Sequence, residues 1–210
     1  MSNIAILGIT GHVGSRVADE LLRRGHTVTG IARSTARAAA RPGLTLHEAD
    51  ATRAEAIVPL LRGHDAVVSA TRFVGGIDAP TLLAAARAAG VPRVLVVGGA
   101  GSLEVAPGRA LIDTPEFPDA YKPEAGAGRA FLQALRQEKN LDWTFLSPAA
   151  EFAPGERTGV FRIGGDQLLT GADGRSRIST EDYAIALADE IERPQHARRR
   201  FSVAYCIGVV

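Results

Sequence analysis

Gly8-Ile9-Thr10-Gly11-His12-Val13-Gly14 is the stretch whose reading decides the fold. An apolar run from Asn3 to Leu7 precedes it. From His12 to Arg24 the apolar residues recur at helical spacing, with Val13, Val17 and Leu21 four apart and Ala18 and Leu22 beside them. The glycines therefore stand where a strand becomes a helix. At that joint they permit a tight turn, a close approach of backbone to a pyrophosphate, and close packing of helix on strand. The unpaired amides and dipole of the helix amino terminus then favour negative charge. No Gly-Lys-Ser/Thr follows, which excludes a nucleoside-triphosphate loop.

Outward from this turn the alternation of strand and helix repeats. Thr27 to Ala32 reads as a strand, Ser34 to Ala40 as a short helix, Leu44 to His47 as a strand and Thr52 to Leu61 as a helix. Ala66 to Ala70, Ala79 to Ala89 and Val94 to Val97 follow as strand, helix and strand. Strands rich in Val, Ile and Leu separated by helices predict a parallel sheet covered on both faces. Gly25, Gly63 and Gly90 stand where left-handed carboxyl-terminal caps belong. Gly99 to Pro118 reads as a long loop, Asp119 to Glu138 as a helix and Trp143 to Leu146 as a strand. Short pieces follow: Gly159 to Ile163, a turn at Gly171 to Gly174, then Arg177 and Ile178. Ser179 is the expected amino cap of the last helix, with Asp182 three residues on as a carboxylate capping box and a buried Tyr183, Leu187, Ile191 stripe. Phe201 to Tyr205 is the expected final strand. Residues 1–210 read as a single α/β domain, a doubly wound parallel sheet in which about 149–210 forms a small carboxyl-terminal extension on the substrate side.

Composition bounds the function. The 210 residues are 46% apolar and 22% charged, enough for one core with a radius of gyration of about 17 Å. With 24 Lys+Arg against 23 Asp+Glu the net charge is +1, which argues against nucleic acid as a partner. The longest apolar stretches fall short of the roughly 18 residues of a membrane span. A single Cys206 closes no intramolecular disulfide, and no basic leader precedes the first strand, so the expected address is the cytoplasm. The five histidines share no helix face, and no metal site is expected. Arg198-Arg199-Arg200 reads as a solvated helix end, and Ala204 to Val210 as a last strand or part of a dimer contact, leaving monomer or homodimer open.

The cofactor expected is NADP(H), with NAD(H) possible. The second strand ends at Ile31-Ala32-Arg33, where an NAD site carries an acidic residue for the ribose hydroxyls. Arg33, with Ser34 beside it and Arg37 one turn on, offers donors and charge to a 2′-phosphate instead. Asp50, with Ala51 beside it, is suited to the adenine amino group or to capping the Thr52 helix. Ala70-Thr71-Arg72 ends the fourth strand with a small residue that lets the ribose lie against the sheet edge.

The chain resembles the atypical short-chain dehydrogenases, specifically the NAD(P)H-binding, NmrA-like and NADH-flavin-reductase-like branch that includes biliverdin IXβ reductase. Almost the whole chain takes part. The resemblance rests on Gly8 to Gly14, Ile31-Ala32-Arg33, Glu48-Ala49-Asp50, Val96 to Leu103, Asp142 to Pro148 and Ile178 to Ala184. It implies a Rossmann fold with the cofactor across the carboxyl ends of the strands, its nicotinamide near Gly98, Gly99 and Pro148, and a small substrate above it. Cofactor contacts are thus expected at Gly8, Thr10, Gly11, His12, Val13, Gly14, Arg33, Ser34, Asp50, Ala51, Ala70, Thr71 and Arg72 as well. Where related enzymes place a polar group near the substrate carbonyl, this chain has Ser102. Glu151 stands where the biliverdin reductase-like enzymes carry a His, which argues against a bilin substrate. Phe152 beside it is a candidate substrate contact.

The Tyr and Lys four residues apart of the better-known short-chain dehydrogenases are missing. Tyr121 is followed at once by Lys122, so their side chains diverge by about 100° on a helix. Ser102 and Tyr121 remain the candidate catalytic groups. A flavin or quinone acceptor takes its proton from water and needs no protein acid, so the pattern fits a reductase of a small planar acceptor such as a flavin, quinone or conjugated carbonyl. A dinucleotide-sensing regulator without turnover and a redox-neutral epimerase or isomerase are the alternatives.

Overall fold

The computed structural model describes residues 1–205, so the expectations for Cys206 and for the apolar end beyond Tyr205 lie outside the described residues. Among the described residues twelve strands and five α-helices follow one another: β1 (Asn3–Leu7), α1 (His12–Arg23), β2 (Thr27–Ala32), β3 (Leu44–Glu48), α2 (Ala54–Leu61), β4 (Ala66–Ser69), α3 (Ala79–Ala89) and β5 (Arg93–Val97) come first. Then come β6 (Glu104–Ala106), β7 (Arg109–Ala110), α4 (Lys122–Gln137), β8 (Asp142–Ser147), β9 (Glu151–Ala153), β10 (Arg162–Gly164), β11 (Arg177–Ser179), α5 (Thr180–Glu192) and β12 (Arg199–Ala204).

Eight strands form one sheet in the order β10-β12-β8-β5-β4-β1-β2-β3. Every pairing is parallel except β10 with β12. Strand side chains alternate between faces, so Ile4 and Ile6 join one apolar layer while Ala5 and Leu7 join the other. α1 packs against α5 over the first layer; α2 against α3, and α3 against α4, over the second. The chain runs outward from β1 to β3, then crosses back to start β4 on the other side of β1. In a doubly wound sheet such a reversal opens a crevice at the carboxyl ends of the strands. This is a single-domain Rossmann fold.

The left-handed glycines expected after α1, α2 and α3 are present, with φ of 82°, 77° and 72° at Gly25, Gly63 and Gly90. Four expectations need correction. Ser34 to Ala40 forms no helix: the segment has no apolar stripe to bury, and Thr35 is instead tied by its amide and hydroxyl to the Glu48 carboxylate. The Thr52 helix begins only at Ala54, because Asp50 accepts from the Thr52 amide and hydroxyl in a local turn, so Asp50 is not its cap. Gly99 to Pro118 is not structureless: β6 and β7 pair around Gly108, and a 3-10 turn spans Leu111–Asp113. Strands of two or three residues carry no periodicity for a sequence to reveal.

Arg198-Arg199-Arg200 is the fourth correction, since α5 ends at Glu192 and Arg199 and Arg200 open β12. Arg200 is buried and its guanidinium holds Asp166 at 2.7 Å and 2.5 Å and the Ser102 hydroxyl at 3.2 Å. Smaller shifts follow the same logic. A 3-10 turn at Asp119–Tyr121 precedes α4, and β9 pairs in parallel with β11 to make a two-stranded sheet beside α5. Ser179 does cap α5, accepting from the Asp182 amide. The reciprocal half of the capping box is absent, because the Asp182 carboxylate turns to Thr158, Gly159 and Tyr205 while the Ser179 amide donates to the Tyr205 hydroxyl.

Tyr183 of α5 is fully buried in the first apolar layer, and its hydroxyl donates to the Leu146 carbonyl of β8 at 2.7 Å. Burial raises its phenol far above the usual tyrosine range, so it stays neutral. Tyr183→Phe is expected to cost about 1 kcal/mol in urea unfolding, the net worth of one buried hydrogen bond, and to leave dinucleotide affinity unchanged.

Candidate functional site

The turn after β1 is built by what its glycines lack. Gly8 has φ +86°, and a Cβ there would lie 2.7 Å from the Ala70 carbonyl oxygen at the end of β4. At Gly14 a Cβ would lie 2.2 Å from the Gly8 carbonyl oxygen, so α1 reaches its place against the turn only because this residue is glycine. The Gly8 amide donates to Ile31 of β2, and the Gly11 amide back to Gly8. α1 then starts at His12 with no side-chain cap, which leaves its first-turn amides for an external acceptor.

A cleft of about 770 Å³ opens over the carboxyl ends of β1 to β4. Of the residues singled out in the sequence, the walls bring together Gly8, Thr10 and Gly11 from the turn, Arg33 and Ser34 after β2, Asp50 and Ala51 after β3, and Ala70, Thr71 and Arg72 after β4. His12 faces an adjoining cavity of about 310 Å³ that shares Thr10, Gly11 and Arg37 with the cleft. Neither Arg33 nor Arg37 has an ion-pair or hydrogen-bond partner among the described residues, whereas most other arginines are paired. The Asp50 carboxyl is held below its usual range, first by the Thr52 amide and hydroxyl and further by the nearby Arg33 charge, so an anionic acceptor faces the cleft.

Other candidates stand apart from these walls. Val13 packs against the core and Gly14 is buried under the turn. Gly98 and Gly99 follow β5, with the Gly98 amide bonded to Leu146 and no room for a Cβ, which would lie 2.4 Å from the Phe145 ring. Pro148 is buried after β8. Ser102 accepts from Arg200, and Tyr121 is 66% exposed at the start of α4. Glu151 lines a different cavity, of about 280 Å³, and is gripped by the Arg175 guanidinium at 2.9 Å and 2.5 Å, which holds its carboxyl below the usual range. Phe152 packs its ring against Tyr183 with centroids 4.8 Å apart.

Sequence reasoning missed the outer wall, Val74 to Ile77, whose paired Gly75 and Gly76 were its available signal. It also missed Glu124 on α4, whose carboxylate accepts from the Val74 amide of that wall and from the Phe73 amide just before it. Among the described residues, no group of three or more His, Cys, Asp or Glu could hold a metal ion, and no helix is long and apolar enough to cross a membrane.

The residues present suit a dinucleotide. The bare glycine turn admits a pyrophosphate against free amides, and the cleft beyond it ends in two unpaired guanidinium groups and one carboxylate. The chain is 40% identical over 211 residues to the uncharacterised YwnB of Bacillus subtilis, covering 95% of this chain and 97% of that protein. Among solved structures it resembles a Burkholderia pseudomallei protein whose name suggests export, at 47% identity and TM-score 0.89 over 98% of this chain and 100% of that one. A Bacteroides thetaiotaomicron protein named as a candidate epimerase matches at 37% identity and TM-score 0.93, covering 100% and 99%. A Streptococcus pneumoniae protein named as a candidate NADH-flavin reductase matches at 37% identity and TM-score 0.82, covering 98% and 100%. The model of one family, described as NAD(P)H-binding, matches residues 8–194, and the chain belongs to that family.

Proposed function

We propose that the protein is an NADPH-dependent reductase of the atypical short-chain dehydrogenase type, acting on a small planar acceptor such as a flavin, quinone or conjugated carbonyl. The observation that carries the reading is the unpaired Arg33 at the end of β2, in the place where an acidic residue would select NAD, with Arg37 likewise unpaired beside the cleft. A bound nicotinamide supplies the hydride. The chain's own part is to bind and orient. The first-turn amides of α1 hold the pyrophosphate, Arg33, Ser34 and Arg37 receive the 2′-phosphate, and Asp50 accepts from the adenine amino group.

Protonation of the acceptor is left to water. Tyr183 is sealed in the core, and Ser102 is engaged with Arg200. Tyr121, being exposed, is free to approach an acceptor but has Ala125, not a lysine, four residues on. The name of the Streptococcus pneumoniae structure supports a flavin-type acceptor, and that of the Bacteroides thetaiotaomicron structure supports the redox-neutral alternative. We place the protein in the cytoplasm as a monomer or homodimer acting on a small molecule, in line with its near-neutral charge and single cysteine.

Calorimetric titration of cofactor-free protein with NADPH, NADP⁺ and NADH tests this directly. NADPH is expected to bind best; equal affinity for NADPH and NADP⁺ points to a sensor, and nicotinamide absorbance retained through purification points to the epimerase-type alternative. Arg33→Ala is expected to weaken NADPH about ten- to hundredfold while NADH changes little, since it removes charge-assisted bonds that only the 2′-phosphate makes. Gly14→Ala is expected to weaken both dinucleotides at least tenfold in the same titration, because its Cβ displaces the turn itself. With a quinone acceptor, Ser102→Ala and Tyr121→Phe are each expected to change turnover only a few-fold; a loss of several thousandfold from either would identify a protein proton donor.

A further inference from the structure

Loops at the mouth of a cleft are held by few contacts and move unless something ties them to the frame. The loop from Thr71 to Gly76 is such a segment: it follows β4, forms the outer wall of the dinucleotide cleft, and carries the exposed Val74 and Arg72. Two ties fasten it to α4. The Phe73 ring packs against Phe131 and Phe145, with centroids 5.4 Å and 6.1 Å apart, over Gly128, where a Cβ would come within 2.9 Å of the ring. The second tie is Glu124, in the first turn of α4. One carboxylate oxygen accepts from the Phe73 amide at 2.7 Å and the other from the Val74 amide at 3.0 Å, with the Arg72 guanidinium 3.9 Å away.

Only a carboxylate answers that geometry. Two successive amides present two donors, and a glutamine would meet one of them with its own NH₂. Its place in the first turn of α4 also sets the carboxylate at the end of the helix where a negative charge is favoured. We propose that Glu124 is a positioning residue for the dinucleotide: it touches no cofactor, and it holds residues 72–74 so that the wall is formed before the ligand arrives. This inference rests on the reading of the cleft as an NADPH site. The adenosine end of that site is assigned to Arg33 and Asp50, which follow β2 and β3, line the same cleft and share no hydrogen bond or ion pair with Glu124 or residues 72–74. Loss of Glu124 therefore separates the two ends of the ligand.

The test is titration of wild type, Glu124→Gln and Glu124→Ala with NADPH and with 2′,5′-ADP, together with amide hydrogen exchange of the 71–77 segment in ligand-free protein. Glu124→Ala is expected to raise the Kd for NADPH about tenfold, and Glu124→Gln by less, as one or both hydrogen bonds to a charged acceptor are lost. Affinity for 2′,5′-ADP is expected to stay within about twofold. The freed amides at 73 and 74 exchange faster. Unchanged NADPH affinity with faster exchange overturns the proposal, as does an equal loss for both ligands, which marks a general structural role. If Glu124→Ala does not fold, the near-isosteric Glu124→Gln decides on the same criteria. Wild-type protein that binds neither ligand, yet protects the 73 and 74 amides, refutes the reading of the cleft while leaving the tether intact, so the two failures are told apart.

Discussion

The close approach of the Gly8–Gly14 turn to the end of β4 is the constraint on which the rest of the structure depends. Backbone meets backbone there, with the Ala70 and Gly8 carbonyls standing where Cβ atoms would otherwise be. Because the turn takes so little space, α1 lies close against the first strands, β1 pairs with both β2 and β4, and the sheet reverses direction beside it. The same compactness exposes the first-turn amides of α1 at the crevice. Fold and binding site are therefore one feature: a side chain that crowded the turn would displace the helix and close the cleft together.

Away from that turn the chain commits most of its polar groups to structure. Glu20 is met by Arg23, Arg24 and Arg157, Glu190 by Arg93 and His196, and Asp182 by Thr158, Gly159 and Tyr205. A buried carboxylate must be satisfied or it is costly, and these networks supply each of these carboxylates with donors within the protein. That makes the exceptions informative. Arg33 and Arg37 border a cleft and make no ion pair or hydrogen bond among the described residues, which leaves their charge available to an anionic ligand. Ser102 and Glu151 belong to the other class, since each is held by an arginine of the fold. Position in a family pattern alone did not distinguish the two classes; the partner of each side chain did.

Residues 1–100 were legible because their elements repeat a simple period. Every strand there but the more polar β3 is a mostly apolar run of four to six residues, and each helix buries a stripe, so hydrophobic patterning and positive-φ glycines mark their limits. The exception, Ser34 to Ala40, had helix-forming alanines and no stripe, and a contact with Glu48 from the next strand outweighed its propensity. Beyond Gly99 several strands are only two or three residues long, and their existence depends on partners distant in sequence: β9 on β11, β10 on β12, and the Asp166 segment on Arg200.

The sequence by itself determined the sheet, its winding and the location of the dinucleotide turn, since those follow from local periodicity and from glycines that no other residue can replace. Tertiary structure alone decided which polar side chains are free. Arg33 and Arg200 are the same residue type, each near the edge of a strand, yet one opens onto the cleft and the other is buried against Asp166 and Ser102. The difference lies in what packs against each of them, and long-range packing leaves no trace in the spacing of residues along the chain.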